Sequence, residues 1–261
     1  MAEVKEKYIK TFIKKACKGF DFSGRILNDP VEFPHRYKDK KDIEVSAFIS
    51  SLFAYGSVRL FKPVIEKILR GMDSSPYEFL IDFVPQRHAP IFKGIYYRFQ
   101  KEDDILELLR ILSLVLKEFG SIERAFMEFY SPSDPDTGKA IEGFSKFILK
   151  LSRHKTRGLN QFFPLPSRGS ACKRANLFLR WMVRKDCVDF GLWEGIPKNK
   201  LIIPLDVHIS RIAISLGLTK RKTPDWKMAK EITESLKTLD PEDPLRYDFI
   251  LCHIGMMEGN Q

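Results

Sequence analysis

Apolar residues recur along most of this chain at intervals of three and four positions, which places them on one face of an α-helix. The clearest example is DIEVSAFISSLFAYGS, residues 42–57, whose apolar face consists of Val45, Phe48, Ile49, Leu52 and Phe53. VRLFKPVIEKILRGM continues the pattern, and DDILELLRILSLVLKEFG forms a longer segment that a glycine closes. No convincing strand pattern or internal repeat is found.

Segments with helical spacing also occupy the rest of the chain. They are MAEVKEKYIKTFIKKACKGF at the start, SIERAFMEFY with Ser121 as its cap, KAIEGFSKFILKLS, CKRANLFLRWMVRK, residues 207–216, PDWKMAKEITESLKTL and DPLRYDFILCHIGMM. The pattern predicts an all-α protein, a helical bundle of about ten helices. The loop near 131–137 predicts a boundary between two subdomains of a single unit, residues 1–261.

The composition is that of an ordinary folded protein, 44% hydrophobic and 12% aromatic. No apolar run approaches the roughly 20 residues that a membrane-spanning helix needs. The first helix lacks the continuous apolar centre of a signal peptide. We therefore predict a cytoplasmic protein with no membrane partner.

The cysteines and histidines indicate neither a metal site nor a disulfide framework. Four cysteines lie far apart without a C-x-x-C pair, and the five histidines are scattered without an H-E-x-x-H motif. We expect reduced thiols and no bound metal.

Charge is distributed unevenly along the chain, and this changes the picture. The net charge is +10, and residues 145–185 contain 11 Lys or Arg and no Asp or Glu. The remainder holds 33 basic and 34 acidic residues, so it is nearly neutral. A long segment without an acid indicates contact with a polyanion, because a solvated helix face usually mixes both signs.

Within the basic segment, LPSRGSACKRAN (165–176) has two interpretations. Ser167, Gly169 and Ser170 form a turn before a helix that opens with Lys173, and amides at such a helix start can bind a phosphate. Lys173 would then meet a phosphodiester backbone. The alternative is a glycine-containing connector followed by a solvated lysine.

A carboxylate follows the apolar run in LIIPLDVHIS, residues 201–210. Asp206 is predicted to cap the 207–216 helix, since aspartate is a favoured N-cap. A capping aspartate stays ionised and is oriented by amide hydrogen bonds. Because an electrostatic catalyst needs the same properties, Asp206 is also a candidate catalytic group.

These blocks resemble a known superfamily. IPLDVHISRIA is similar to the PVDVH…IA signature of the helix-hairpin-helix DNA glycosylases, which include endonuclease III and the 8-oxoguanine glycosylases. LPSRGSACKRAN resembles their LPGVGxKxAN hairpin, and FILCHIG resembles a later helix. The nearest resemblance is to the archaeal-type 8-oxoguanine glycosylases and to a bacterial glycosylase-like family that shares the blocks RWMVR, GLW and IPLDxH.

The resemblance implies a two-subdomain helical fold with a central cleft and a helix-hairpin-helix DNA-binding element. It implies that residues 138–261 carry the hairpin, Lys173 and Asp206. Lys173 matches the Schiff-base lysine of the bifunctional enzymes and Asp206 their catalytic aspartate. The implied activity is that of a DNA glycosylase and AP lyase in base-excision repair, acting as a monomer on double-stranded DNA with a damaged base such as 8-oxoguanine.

In such a reaction positive charge builds at the sugar C1′, and Asp206 would stabilise it. The neutral amine of Lys173 would add to C1′ and form an imine. We expect burial and the neighbouring Arg168 and Arg174 to lower the pKa of Lys173.

Three departures from the endonuclease III pattern stand out. Lys173 and Asp206 are 33 positions apart, about twice that group's spacing, and the inserted segment is KDCVDFGLWEGIPKNK. The four-cysteine iron–sulfur segment is absent, so we expect no cluster. The hairpin has two extra residues. They fall where the resemblance places the phosphate contact and a bound monovalent cation.

A flipped nucleotide leaves a gap in the base stack and needs a pocket. Tyr55 lies at the position of the superfamily's probe segment and is the candidate wedge. Phe190 and Trp193 are candidates for the base pocket, whereas Trp181 and His253 fit a core role better. His208 is also a candidate of the substrate site, where it would orient Asp206 or contact phosphate; the alternative is that it only satisfies a backbone carbonyl. The candidate DNA contacts are Arg153, Lys155, Arg157, Arg168, Gly169, Ser170, Arg174 and Arg184.

Other readings of the same residues stay open. In a monofunctional glycosylase, Asp206 would act with water and Lys173 would only bind phosphate. In a non-enzymatic helix-hairpin-helix protein, the basic segment would bind DNA without base release. An all-helical scaffold with no nucleic-acid role would leave the basic segment without an explanation.

Overall fold

The computed structural model describes residues 2–258, which are largely helical with short connections. The α-helices are α1 (Ala2–Cys17), α2 (Phe22–Ile26), α3 (Lys40–Phe53), α4 (Val58–Arg70), α5 (Pro76–Ile81), α6 (Pro85–His88), α7 (Glu102–Phe119), α8 (Ile122–Met127), α9 (Gly138–Leu151), α10 (Arg157–Phe162), α11 (Lys173–Val183), α12 (Val207–Ser215), α13 (Trp226–Lys237) and α14 (Asp248–Glu258). Five 3-10 turns cover Pro30–Glu32, Pro34–Arg36, Ala89–Phe92, Pro166–Arg168 and Lys198–Lys200. In this range the chain forms isolated bridges but no strand, which confirms the all-α prediction.

The described residues contain fourteen α-helices, so about ten was too few. The helices without a predicted counterpart are short: α2, α5, α6 and α10 have four to six residues each. Fewer than two turns carry too little periodicity to be distinguished from a loop.

Several helix ends follow from single residues, as predicted. Gly120 ends α7 in the left-handed region at φ 78°, which glycine adopts without steric cost. The Ser121 hydroxyl then accepts a hydrogen bond from the Arg124 amide and starts α8. The turn between α7 and α8 is therefore encoded locally.

Helix α3 lies at the centre of the larger of two apolar clusters. All its residues from Asp42 to Phe53 are buried, and it packs against α4, α5 and α11. The larger cluster contains buried side chains of α3 to α5 and of α7 to α11, of the chain up to Leu201, and of Leu245 and Phe249. Seven of the fourteen residues of α3 are apolar, and its buried carboxylates, Asp42 and Glu44, accept hydrogen bonds from backbone amides of α5 and α8.

The smaller cluster is built on α12, α13 and α14. It begins with Ile202 and Ile203, and Ile9 and Ile13 of α1 pack into it. The core thus divides between Leu201 and Ile202, whereas side chains on both sides of 131–137 belong to the larger cluster. The core gives no support for a boundary near 131–137, and the subdomain boundary stays a prediction.

The inserted segment 185–200 folds back on the end of α11. The amides of Phe190 and Trp193 donate to the carbonyls of Trp181 and Met182 at 2.8 Å each. These carbonyls have no partner within the helix, so the segment satisfies the helix C-terminus. The insertion thus has a structural role that the motif comparison did not reveal.

Of the helices described, none combines the length and the hydropathy required to cross a lipid bilayer.

Candidate active site

Lys173 opens α11 after an irregular connector. Gly169 has φ 80° and Cys172 has φ 47°, so the chain turns twice through the left-handed region before the helix begins. Cys172 supplies no side-chain cap, which leaves the first-turn amides of α11 without a side-chain acceptor. The connector, which includes the 3-10 turn Pro166–Arg168, joins the short helix α10 to α11.

Asp206 opens α12, as predicted from the sequence. Its Oδ1 accepts hydrogen bonds from the amides of His208 and Ile209 at 2.9 Å each. The preceding Ile203 and Leu205 are buried in the smaller cluster and fix the approach to the helix. The second oxygen, Oδ2, is left to face Lys173.

Lys173 and Asp206 form an ion pair between the two clusters. The Nζ of Lys173 lies 3.1 Å from Oδ2 of Asp206, and it also donates to the carbonyl of Ala54 at 3.4 Å. The Lys173 side chain is 31% exposed and that of Asp206 is 11% exposed. Three helix ends, from α3, α11 and α12, thus meet at one partly accessible ion pair.

The electrostatics of the pair correct one expectation. Burial lowers the pKa of Lys173, but the Asp206 carboxylate, with smaller contributions from Cys252 and Asp29, outweighs it, and the pKa lies above its ordinary value. Burial raises the pKa of Asp206, but Lys173 and the amide of Ile209 hold it below its ordinary value. The resting state is an ammonium–carboxylate pair, and the predicted lowering of the Lys173 pKa is wrong.

Two residues near the pair were missed by the sequence analysis. The Sγ of Cys252 on α14 lies 4.0 Å from Oδ2 of Asp206. Burial and Asp206 raise the pKa of this thiol well above its ordinary value, so it stays protonated. Asp29 caps the Pro30–Glu32 turn through the amide of Val31 and contributes negative charge near Lys173. A lone cysteine and a capping aspartate carry no sequence signal for such positions.

The two histidines take different places. The Nδ1 of His208 lies 3.4 Å from the carbonyl of Gly255, and only its backbone amide bonds to Asp206. A role of the His208 ring at the substrate site stays a prediction. His253 is buried and its Nδ1 lies 2.8 Å from the carbonyl of Phe249, which confirms the core role.

Tyr55 lies one residue beyond Ala54 but is held in place. Its hydroxyl donates to the Gln100 side chain, and the guanidinium groups of Arg98 and Arg174 lie 5.5 and 4.9 Å from its ring centre. Entering a DNA stack would break these contacts. The structure therefore argues against Tyr55 as the wedge.

Trp193 and Phe190 do not reach the pair, so the structure corrects both base-pocket candidates. They follow the C-terminal end of α11, about 12 Å along the helix axis from Lys173 at 1.5 Å per residue. Trp193 is 2% exposed and its Nε1 donates to the Glu44 carboxylate at 2.8 Å. Phe190 packs against His35 with ring centres 4.5 Å apart. Trp181 is fully buried, as predicted.

Arg174 and Arg184 are also corrected, because both are buried and neither can contact a phosphate. Arg174 donates to the carbonyls of Leu52 and Gln161. Arg184 donates to both Asp243 oxygens, at 2.7 and 3.0 Å, and pairs with Asp189. Their hydrogen bonds satisfy protein acceptors, so they belong to the core and not to a DNA surface.

The predicted phosphate clasp is partly occupied by the protein itself. The amide and hydroxyl of Ser167 donate to the Glu142 carboxylate at 3.0 and 2.7 Å, and the Gly169 amide donates to the Pro166 carbonyl. The Gly169 carbonyl accepts from Trp226. These contacts offer no support for a monovalent cation at the hairpin, which stays a prediction. Among the side chains described, no three His, Cys, Asp or Glu converge on a metal position.

The remaining candidate DNA contacts lie on the surface. Arg153, Lys155, Arg157, Arg168 and Gly169 are exposed, and Ser170 is partly so. An open groove of about 500 Å³ runs between the end of α9, α10 and the hairpin. Its charged lining consists of Lys146, Lys150, Lys155 and Arg168, of which Lys146 pairs with Glu142 at 2.7 Å.

Residues 29–257 match the model of one protein family, described as a protein of unknown function (DUF2400). The match covers most of the chain, including Lys173, Asp206 and the basic groove, so the chain belongs to this family. No curated protein and no solved structure matches the chain significantly.

Proposed function

We propose that this protein is a DNA glycosylase with AP lyase activity. The observation that carries the proposal is the 3.1 Å pair between Lys173 and Asp206. The two residues are far apart in sequence, open two different helices and remain partly accessible. A lysine and a carboxylate at one such position supply a nucleophile and an electrostatic stabiliser for attack on a sugar C1′.

The raised pKa of Lys173 assigns the ammonium a first role in this reaction. When the glycosidic bond breaks, its electron pair leaves with the base, and the ammonium gives the base a proton. The amine is then neutral and forms a bond to C1′. The nitrogen gives up a proton, the sugar ring oxygen takes up a proton as its bond to C1′ breaks, and a protonated imine to Lys173 remains. β-Elimination then removes a proton from C2′ to solvent and expels the 3′ phosphate, which cleaves the strand.

Asp206 acts throughout as a fixed negative charge. Its low pKa keeps it ionised at neutral pH, and the two amides at the start of α12 hold one oxygen while the other faces the reacting centre. Positive charge that develops at C1′ is thereby stabilised without reorganisation of the site. The partial burial of Asp206 strengthens this interaction.

The resemblance to 8-oxoguanine glycosylases makes an oxidised purine the first substrate to test. The monofunctional alternative has one observation in its favour, the protonated resting state of Lys173. In that alternative, water attacks C1′ and no imine forms, so a test for the imine separates the two.

The main test is borohydride trapping on duplexes that each contain 8-oxoguanine, uracil, thymine glycol or an abasic site. We expect wild type to form a covalent adduct with at least one lesion, because borohydride reduces an imine to a stable amine. Lys173→Gln should form none, since it lacks the amine. Lys150→Gln, which changes an exposed lysine of the same basic segment, should be trapped like wild type at saturating DNA.

Each other outcome of this test has a definite meaning. Release of free base without an adduct would assign Lys173 to binding and support the monofunctional alternative. Neither adduct nor base release, with DNA still bound, would reject the glycosylase and leave a DNA-binding protein.

A second prediction concerns the basic groove. Lys155→Ala and Arg168→Ala should each weaken duplex binding and make the slope of log K against log salt shallower by about 1, because each removes one phosphate contact. The measurement is fluorescence anisotropy between about 50 and 200 mM salt. Arg70→Ala removes a side chain that is 80% exposed on α4 and should change neither quantity. Equal slopes for all three variants would exclude the groove as the DNA surface.

A further inference from the structure

A tight turn lies beside the candidate active site and was not singled out by the sequence analysis. The amides and carbonyls of Tyr97 and Gln100 bond to each other in both directions at 2.9 Å. Arg98 takes a left-handed conformation at φ 55°, which a side chain other than glycine adopts only when its surroundings impose it. The turn is therefore held in one conformation.

Buried residues of the turn attach it to the site. The Tyr97 hydroxyl donates to the carbonyl of Tyr55, and the Tyr55 hydroxyl donates to Gln100. Gln100 is fully buried and also donates to the carbonyl of Gly158 at 3.1 Å. Because Lys173 bonds to Ala54, a short chain of contacts fixes the turn relative to the amine of Lys173.

The other residues of the turn point to solvent and combine aromatic rings with cations. Tyr96 is 62% exposed and Phe99 is 37% exposed. The Arg157 guanidinium lies 4.6 Å from the Phe99 ring centre. Residues 93–101 contain Lys93, Arg98 and Lys101, and the acid that follows them, Glu102, accepts a hydrogen bond from the Gly94 amide at 2.6 Å. Exposed rings next to cations are the composition of surfaces that stack on nucleic-acid bases.

We propose that the turn 96–99 enters the DNA at the lesion, with Tyr96 filling the gap that the flipped nucleotide leaves. Arg98 and Arg157 bind the phosphates on either side. The Tyr96 hydroxyl donates to the Arg98 carbonyl, so the ring is held by its own turn and can enter the DNA together with it. Tyr55, in contrast, would have to give up its contacts with Gln100, Arg98 and Arg174. This assignment rests on the proposed glycosylase function.

The test uses a duplex with a tetrahydrofuran abasic analogue, which cannot form an imine, and 2-aminopurine as the adjacent base. Saturating wild-type protein should quench the 2-aminopurine, because the tyrosine ring stacks on it. Tyr96→Ala should lose most of the quenching and raise the Kd about tenfold. Tyr96→Phe should behave like wild type, since the ring and not the hydroxyl is used. Tyr8→Ala, which removes a tyrosine that is 61% exposed on α1, is the matched control and should also behave like wild type.

The assignment is overturned if Tyr96→Ala quenches the 2-aminopurine as strongly as wild type does. It is also overturned if the wild-type protein binds the duplex without quenching, or does not bind the duplex. Trapping on single-stranded abasic DNA, which has no gap to fill, tests the proposed function separately. Tyr96→Ala should be trapped there like wild type. Loss of quenching in Tyr96→Ala without trapping of any protein would reject the lyase and retain the wedge.

Discussion

Asp206→Asn is expected to slow base release by about 10²–10³-fold, the usual effect of removing one preorganised electrostatic group. The fold should remain intact, because asparagine caps helices about as well as aspartate and can accept the same two amide hydrogen bonds. The substitution therefore removes the charge and preserves the geometry. Single-turnover release of the base under saturating enzyme measures the effect on the chemical step alone.

The same substitution should change the pH dependence of the lyase step in a definite direction. Asp206 raises the pKa of Lys173, and burial lowers it. Without the carboxylate, burial is opposed by less negative charge, so the pKa falls and the amine becomes neutral at lower pH. On a preformed abasic site, where no glycosidic bond has to break, the trapping profile of Asp206→Asn should shift to lower pH than that of wild type.

The matched control for Asp206→Asn is Asp225→Asn. Asp225 caps α13 through the amide of Met228, as Asp206 caps α12, but it pairs with Arg221 and not with Lys173. Its replacement should leave base release and the pH profile unchanged. If Asp206→Asn kept the wild-type rate, or if both variants lost it equally, Asp206 would be a helix cap without a catalytic role.

The longer helices and several of their ends could be predicted from the sequence because their signals are local. Helices such as α3 and α7 carry several turns of apolar periodicity, and Gly120, Ser121 and Asp206 mark ends by backbone chemistry alone. The approach of Lys173 to Asp206 came from motif resemblance and not from periodicity. Asp29, which contributes to the charge around Lys173, lies more than 140 positions away in sequence and had no such motif.

The absence of acids from residues 145–185 does not mean that all the basic residues of this segment lie on a DNA-binding surface. Of the 11 basic residues in 145–185, Arg174, Arg180 and Arg184 are buried on α11 or at its end. The acids that neutralise Arg180 and Arg184 are contributed from outside the segment, by Asp189, Asp243 and Asp248. A segment without acids can therefore hold structural ion pairs, because folding brings their partners from elsewhere in the chain.

The aromatic residues likewise lie where their sequence positions do not indicate. Trp193 follows Lys173 by 20 positions, but α11 separates them, and the indole N–H is used by Glu44 in the core. The exposed rings beside the site come from a turn some 70 positions before Lys173. The number of positions between two residues therefore does not indicate whether they lie at the same end of the helix between them.

The buried network at the C-terminal end of α11 supports the prediction with the largest effect on stability. Asp189 lies between Arg180 and Arg184, and its side chain is fully buried. Burial raises the pKa of the Asp189 carboxyl to about 6 despite the two guanidinium groups. Burying these charges costs desolvation free energy, so the network as a whole is not a net source of stability. Removing one charge is nevertheless destabilising, because its buried partners are then left uncompensated.

Asp189→Asn should therefore lower the free energy of unfolding by about 3 kcal/mol, since it leaves buried positive charge uncompensated. The value lies at the low end of the usual range because Asp248 and Asp243 still each pair with one guanidinium. Urea unfolding measures it, and Glu234→Gln, which breaks an exposed pair with Lys237, should cost less than about 1 kcal/mol.

The Asp189→Asn variant also tests the place of Arg184. Because Arg184 is paired with acids of the protein, Asp189→Asn should leave the salt dependence of DNA binding unchanged. A steeper salt slope for the folded variant, from an Arg184 freed to bind phosphate, would instead place Arg184 on the DNA surface and contradict its assignment to the core.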